Sequence, residues 1–267
     1  MGTITIDKRN NVNVSGDGPV TMIFAHGFGC DQNMWRFLQP HFGKRYRTVL
    51  FDLVGNGRSD LSAYDYDKYG TLEGHASDLV EIAERHATGP TVLVGHSVSS
   101  MICLLASVNA PDAFQSVVMV GPSPCYINNG DYVGGFSRED IEGLLDSMEG
   151  NYLGWSSTMA PAIMGAPDQP ELGQELANSF CATDPDIAQH FARVTFLSDH
   201  RADLAKLKIP SLILQCSDDI IAPVAVGEYM KRMMPQSELV IIDNVGHCPH
   251  LSAPGASVDA MESFLAR

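Results

Sequence analysis

A β-branched apolar run, Thr91-Val92-Leu93-Val94, ends in Gly95-His96-Ser97, and an apolar segment of helical character follows at once. No other feature constrains the fold so strongly. A strand that turns abruptly into a helix leaves no room for a side chain beside the turn, and the serine is pushed out at the top of a sheet. Gly95 meets that steric demand. Ser97 then stands at a helix N-terminus, where free backbone N–H groups point at any negative charge developing nearby. A serine that merely caps a helix would look similar, and only the rest of the chain separates the two.

Two further apolar runs end in chemically useful residues. Ile209-Pro210-Ser211-Leu212-Ile213-Leu214-Gln215-Cys216-Ser217 leads into Asp218-Asp219, and Pro223 follows shortly after. Leu239-Val240-Ile241-Ile242-Asp243-Asn244-Val245 leads into Gly246-His247. A serine hydroxyl is a weak nucleophile at neutral pH. It needs a histidine to take its proton and a carboxylate to hold that imidazole in the right tautomer. Parallel strands would bring all three strand-end residues to one edge of a sheet. The order serine, acid, histidine is that of α/β-hydrolases and differs from both protease orders. An acid after the preceding strand is excluded, because Val117-Val118-Met119-Val120 runs into Gly121-Pro122-Ser123. Asp218 and Asp219 compete for the role, and as neighbours leaving a strand only one can reach His247.

The wider pattern predicts an α/β protein with a mostly parallel sheet. Stretches near Thr3–Asp7 and Val12–Val14 suggest an opening hairpin. Apolar strands near 20–25, 47–53, 91–94, 115–120, 209–215 and 238–242 alternate with helical segments near 71–87, 98–109, 223–233 and 255–265. Between Pro122 and Ile209 the strand signal disappears. Helix-like pieces at Arg138–Glu149, Tyr152–Ala162, Gln169–Ala182 and Pro185–Leu197 imply a helical cap over the strand ends. The expected organisation is a core of 1–122 and 201–267, with a lid of 123–200 inserted after strand 6. Phe136, Leu144, Trp155, Met159, Phe180 and Phe196 lie in that lid at helical spacing. Together with Phe28 they suggest an enclosed apolar pocket, although cap packing explains any one of them equally well. No Arg or Lys is clearly placed to hold a substrate carboxylate.

Composition narrows the function classes. A formal charge of −15 over 267 residues disfavours nucleic-acid and anionic-membrane partners, which call for basic clusters. The six cysteines show no paired metal or redox spacing, so no metal or cofactor is expected, and reduced thiols in a cytoplasmic protein are. The start of the chain has neither the basic nor the apolar segment of a signal peptide. Gly2 is present, but Ile6 stands where a myristoylation site needs Ser or Thr. No stretch is long and apolar enough to cross a bilayer.

Longer runs carry a narrower resemblance. His26-Gly27-Phe28-Gly29-Cys30-Asp31-Gln32-Asn33-Met34-Trp35, Gly95-His96-Ser97-Val98, Val120-Gly121-Pro122-Ser123-Pro124-Cys125-Tyr126 and Gly246-His247-Cys248-Pro249-His250 span nearly the whole chain. They resemble the α/β-hydrolase group that holds the bacterial sigma-B stress-response regulator RsbQ and the plant strigolactone and karrikin receptors. Ser99 replaces the glycine that usually ends the elbow motif, and the plant receptors similarly carry serine there. The resemblance implies a four-helix, V-shaped lid over a hydrophobic pocket. It favours Asp219 as the acid, from its interval to Pro223. It also implies an oxyanion hole formed by the backbone amides of Phe28, in the glycine-bearing loop after the first long strand, and Val98. His26 and His96 are expected to be structural.

The expected function is a serine esterase or lactonase, cleaving a small apolar ester through an acyl-enzyme with Ser97, His247 and Asp219. The alternative is a signalling hydrolase that captures a small hydrophobic ligand and acts through a partner such as a sensor-domain phosphatase. Dehalogenases and epoxide hydrolases of this fold use an aspartate nucleophile, where this chain has Ser97. The natural ligand and the oligomeric state are not written in the motifs.

Overall fold

The structure, a computed structural model, describes residues 4–267. After a helical turn α1 (Ile6–Arg9) come β1 (Asn13–Ser15), β2 (Thr21–Ala25), the short α2 (Gln39–Phe42) and β3 (Arg47–Phe51). Next follow α3 (Leu72–His86), β4 (Thr91–His96), α4 (Val98–Asn109) and β5 (Ser116–Val120). Four helices then run in succession: α5 (Arg138–Gly150), α6 (Tyr152–Met164), α7 (Pro170–Ala182) and α8 (Pro185–Phe196). The chain returns to β6 (Ser211–Asp218), α9 (Val224–Met233), β7 (Ser237–Val245), α10 (Pro249–Ser252) and α11 (Pro254–Leu265).

The strands form one seven-stranded sheet in the order β1-β3-β2-β4-β5-β6-β7, parallel except for the β1–β3 pair. Both faces are covered, so the strands read as continuous apolar runs with side chains alternating between two cores. Met22, Phe24, Val92, Val94, Val118 and Val120 face one core; Ile23, Leu93, Val117 and Met119 face the other. Register then positions the site. Ala25 pairs with Gly95, and His96 with Val120, so the loops leaving β2, β4 and β5 emerge side by side. β6 and β7 end on the same edge, because Asp218 pairs with Val245.

Two expectations are corrected. The opening hairpin does not form. Thr3 and Gly2 lie outside the described residues, and Ile6–Arg9 is helical, with Ile6 buried, Asp7 in its first turn and Arg9 in its last. That turn is held by Arg9, whose guanidinium donates to Asp78 at 2.9 Å and Glu81 at 2.7 Å on α3. β1 pairs instead with β3. The helical insertion consequently follows the fifth strand, not the sixth. Its helices begin and end where local chemistry dictates: a Ser137/Asp140 capping box, an Asn151 cap, a left-handed Gly165 and an Asp184 cap before Pro185.

Candidate active site

Ser97 sits between β4 and α4 with φ +55°, one of two non-glycine residues at positive φ among those described. Such strain persists only where surrounding packing over-determines it. Gly95 shows why the turn is possible, since a β-carbon there would lie 2.4 Å from the Ser99 carbonyl oxygen. Ser99, where the general elbow motif has glycine, has a use of its own. It is fully buried, and its Oγ donates to the His26 carbonyl at 2.5 Å, tying the elbow helix to the neighbouring loop.

His247 and Asp219 meet Ser97 at the sheet edge. His247 Nε2 lies 2.8 Å from Ser97 Oγ, and its Nδ1 lies 2.7 Å from Asp219 Oδ2. The second Asp219 oxygen accepts from the Ile221 amide at 2.8 Å and the Ala222 amide at 3.1 Å. Burial pushes the Asp219 carboxyl up, but His247 and those two amides outweigh it and hold the group below its usual range. Asp218, at the end of β6, is exposed and has no part in this chain of bonds. The imidazole therefore has a fixed carboxylate behind it and a serine hydroxyl in front, the arrangement that lets a histidine accept a proton from serine.

The amides of Phe28 and Val98 have no hydrogen-bond partner among the described residues. Val98 is the first residue of α4, where a helix leaves its amides unsatisfied. His26 and His96 both bond backbone groups around the site. His26 accepts from the Leu53 amide at 3.0 Å and so donates from Nδ1 to the Gly27 carbonyl at 2.8 Å. His96 Nε2 donates to the His247 carbonyl at 3.0 Å, and burial drives its ring down to about 3, keeping it neutral.

A narrow cavity of about 30 Å³ lies over Ser97 and His247. Phe28, Trp155 and Phe196 line it, as does Phe180. The Phe28 ring is the hub of this wall, with Phe180 at 5.9 Å, Phe196 at 6.0 Å and Trp155 at 6.5 Å between centroids. Phe136, Leu144 and Met159 do not line the cavity; they are partly buried and pack against the apolar core. Helical spacing assigns a residue to a face of its helix, not to a depth in the lid. Tyr126, Thr195, Cys30 and Cys248 join them in the wall, and all but Thr195 stand in the motif runs that carry the resemblance. No Arg or Lys is among the lining residues.

Behind His247, the side chains of His96, Cys248 and His250 bring one donor atom each within 4.8 Å of one another. Burial pushes the Cys248 thiol well above its usual range, which opposes the thiolate form that a metal ligand takes.

Comparison with known proteins gives this geometry a context. Residues 22–260 match the profile described as "Alpha/beta hydrolase family". The chain is 37% identical over 257 residues to "Karrikin insensitive 2 receptor CA" of Petunia hybrida, covering 96% of this chain and 95% of the relative. It is 36% identical to "Strigolactone esterase RMS3" of Pisum sativum, with each chain covered in full. Among solved structures, a hydrolase from Oleispira antarctica superposes with a TM-score of 0.95 at 43% identity, over 98% of this chain and 96% of that one.

Proposed function

Because this chain belongs to the alpha/beta hydrolase family, we propose that it is a carboxylic ester hydrolase that cleaves a small, mostly apolar ester or lactone through an acyl-enzyme on Ser97. The observation that carries the reading is the unbroken series Ser97–His247–Asp219, with contacts of 2.8 Å and 2.7 Å at the two imidazole nitrogens. Ser97 Oγ attacks the carbonyl carbon while His247 Nε2 takes its proton. Asp219 holds the ring in register and stabilises the imidazolium. The free amides of Phe28 and Val98 receive the oxyanion, and such donors are each worth about 10²–10³ in turnover. His247 returns the proton to the leaving alcohol, then activates the water that clears the acyl group.

We divide the chain into a hydrolase core of 1–122 and 201–267 and a lid of 123–200, and we place it in the reducing cytoplasm, consistent with six free cysteines. No helix among the described residues is long and apolar enough to cross a membrane.

A second reading, signalling of the RsbQ type, has a specific support. Relatives at this similarity include proteins named as receptors, and a cavity of about 30 Å³ is far below the roughly 300 Å³ of ordinary ligand sites. Substrate entry therefore requires the lid to move, and a partner such as a sensor-domain phosphatase could read that movement. Steady-state and burst kinetics on p-nitrophenyl acetate and butyrate, with Ser97→Ala as control, separate the readings. Sustained Ser97-dependent turnover of about 1–10³ s⁻¹ supports the esterase. A single burst followed by very slow release supports the signalling protein. Turnover that survives Ser97→Ala overturns both.

A further inference from the structure

One residue that lines the cavity over Ser97 carries a buried hydroxyl with no hydrogen-bond partner. Thr195, in the last turn of α8, lines the cavity and is 1% exposed, and its Oγ1 has no hydrogen-bond partner. Helical serines and threonines ordinarily satisfy the hydroxyl on the carbonyl one turn back. This chain does so repeatedly: Ser156 donates to the Tyr152 carbonyl at 2.8 Å, Ser107 to Cys103 at 2.8 Å and Thr158 to Gly154 at 3.0 Å. Thr195 does not.

The other polar groups of the wall stand differently. Ser97 and His247 bond each other. Burial raises the Tyr126 phenol to about 12, so it remains protonated. His96 Nδ1 is also without a partner, but it lies against the loop backbone, where a β-carbon on Gly27 would come within 2.4 Å of it. Thr195 thus holds a buried, unpaired hydroxyl beside the aromatic and aliphatic groups of the lid side of the wall. A valine would fill its place with the same branching and bury no unpaired polar atom.

We propose that Thr195 is the binding residue that selects the substrate. Its hydroxyl bonds an oxygen of the ester or lactone other than the scissile carbonyl oxygen. The preferred substrate class is accordingly an oxygenated ester or lactone, bearing an ether, keto or ring oxygen, in preference to a plain hydrocarbon ester of the same shape. This rests on the reading of Ser97 as nucleophile.

The test compares isosteric ester pairs that differ by one oxygen. Two pairs place it in the acyl chain, p-nitrophenyl methoxyacetate against butyrate and p-nitrophenyl β-methoxypropionate against valerate. A third, methoxyethyl against butyl acetate, places it on the alcohol side. The quantity read is the kcat/KM ratio within each pair, compared between wild type, Thr195→Val and Thr195→Ser, so that intrinsic ester reactivity cancels. In at least one pair Thr195→Val lowers the ratio about tenfold, the worth of one good hydrogen bond, and Thr195→Ser restores most of it. Unchanged ratios in all pairs, with wild-type turnover still dependent on Ser97, overturn the Thr195 contact alone. Absence of Ser97-dependent turnover of every ester overturns the hydrolase reading and this contact with it. Melting temperature supplies a second readout. Thr195→Val should melt no lower than wild type, and a clear drop or failure to fold would show that the hydroxyl has a partner inside the protein.

Discussion

Ser179 Oγ, on the third lid helix, donates a hydrogen bond of 2.8 Å to the carbonyl oxygen of Gly29, in the loop that carries the free Phe28 amide. The next lid residue, Phe180, packs edge-on to Phe28 at 5.9 Å. Lid helix α7 therefore grips the loop proposed to hold the oxyanion. Ser179→Ala should cost about 1 kcal/mol of stability and lower kcat for p-nitrophenyl acetate severalfold. An unchanged kcat together with an unchanged melting temperature would show that the contact has no hold on the loop.

Gly29 has φ +65°, and a β-carbon there would lie 2.4 Å from the Phe180 ring. Gly29→Ala should be destabilised by about 1–3 kcal/mol through backbone strain, before the cost of displacing Phe180. Chemical denaturation measures the loss. A wild-type midpoint would mean that neither constraint operates.

Ser97→Ala removes the nucleophile and no packing of consequence. Ester hydrolysis should fall by at least about 10³-fold while the melting temperature stays close to wild type. Circular dichroism and stopped-flow assays read the two effects separately.

Asp219→Asn should lower kcat by about 10⁴-fold, because an amide cannot hold the imidazole in the tautomer that accepts the serine proton. Asp218→Asn, at an exposed position, should stay close to wild type. The reverse result would exchange their roles. Stability carries a matching signature. The Asp219 carboxyl is held below its usual range in the folded state. Its contribution is therefore fully present above the ordinary carboxylate pKa and is lost as pH falls through the lower folded value. Between about pH 6 and pH 3, the melting temperature of wild type should fall more steeply than that of Asp219→Asn.

Cysteine chemistry gives an independent check on packing. Cys181 is exposed, while the other five cysteines are buried. Burial raises the thiols of Cys30, Cys103 and Cys248 well above the usual range and that of Cys216 to about 11. Native protein should show one fast-reacting thiol with an aromatic disulfide reagent, and Cys181→Ser should remove it.

The elbow at Gly95-His96-Ser97 and the order serine, acid, histidine were readable because each rests on local chemistry. The glycine answers a steric demand, and apolar runs of strand length mark where a parallel sheet ends. The four lid helices were readable because the strand signal disappears between Pro122 and Ile209 and helix-like pieces take its place. The failures are as physical. Thr3–Asp7 carries strand-like residues, but the Arg9 contacts with Asp78 and Glu81 lie far away in sequence and stabilise a helical turn. Phe136, Leu144 and Met159 have the pattern of pocket residues yet stop short of the cavity, because depth in the lid depends on how helices cross.

Sequence alone determined the strand-to-helix rhythm, the site of the insertion along the chain and that Ser97, His247 and the Asp218–Asp219 pair arrive at one sheet edge. Each is a matter of backbone geometry and local side-chain chemistry. Tertiary packing decided which aspartate carboxylate faces His247, which lid side chains reach the cavity and that Thr195 keeps an unsatisfied hydroxyl there. Such properties depend on how segments distant in sequence pack together, as where Asp219 meets His247 and lid helix α8 reaches the cavity over Ser97, and no local pattern encodes them.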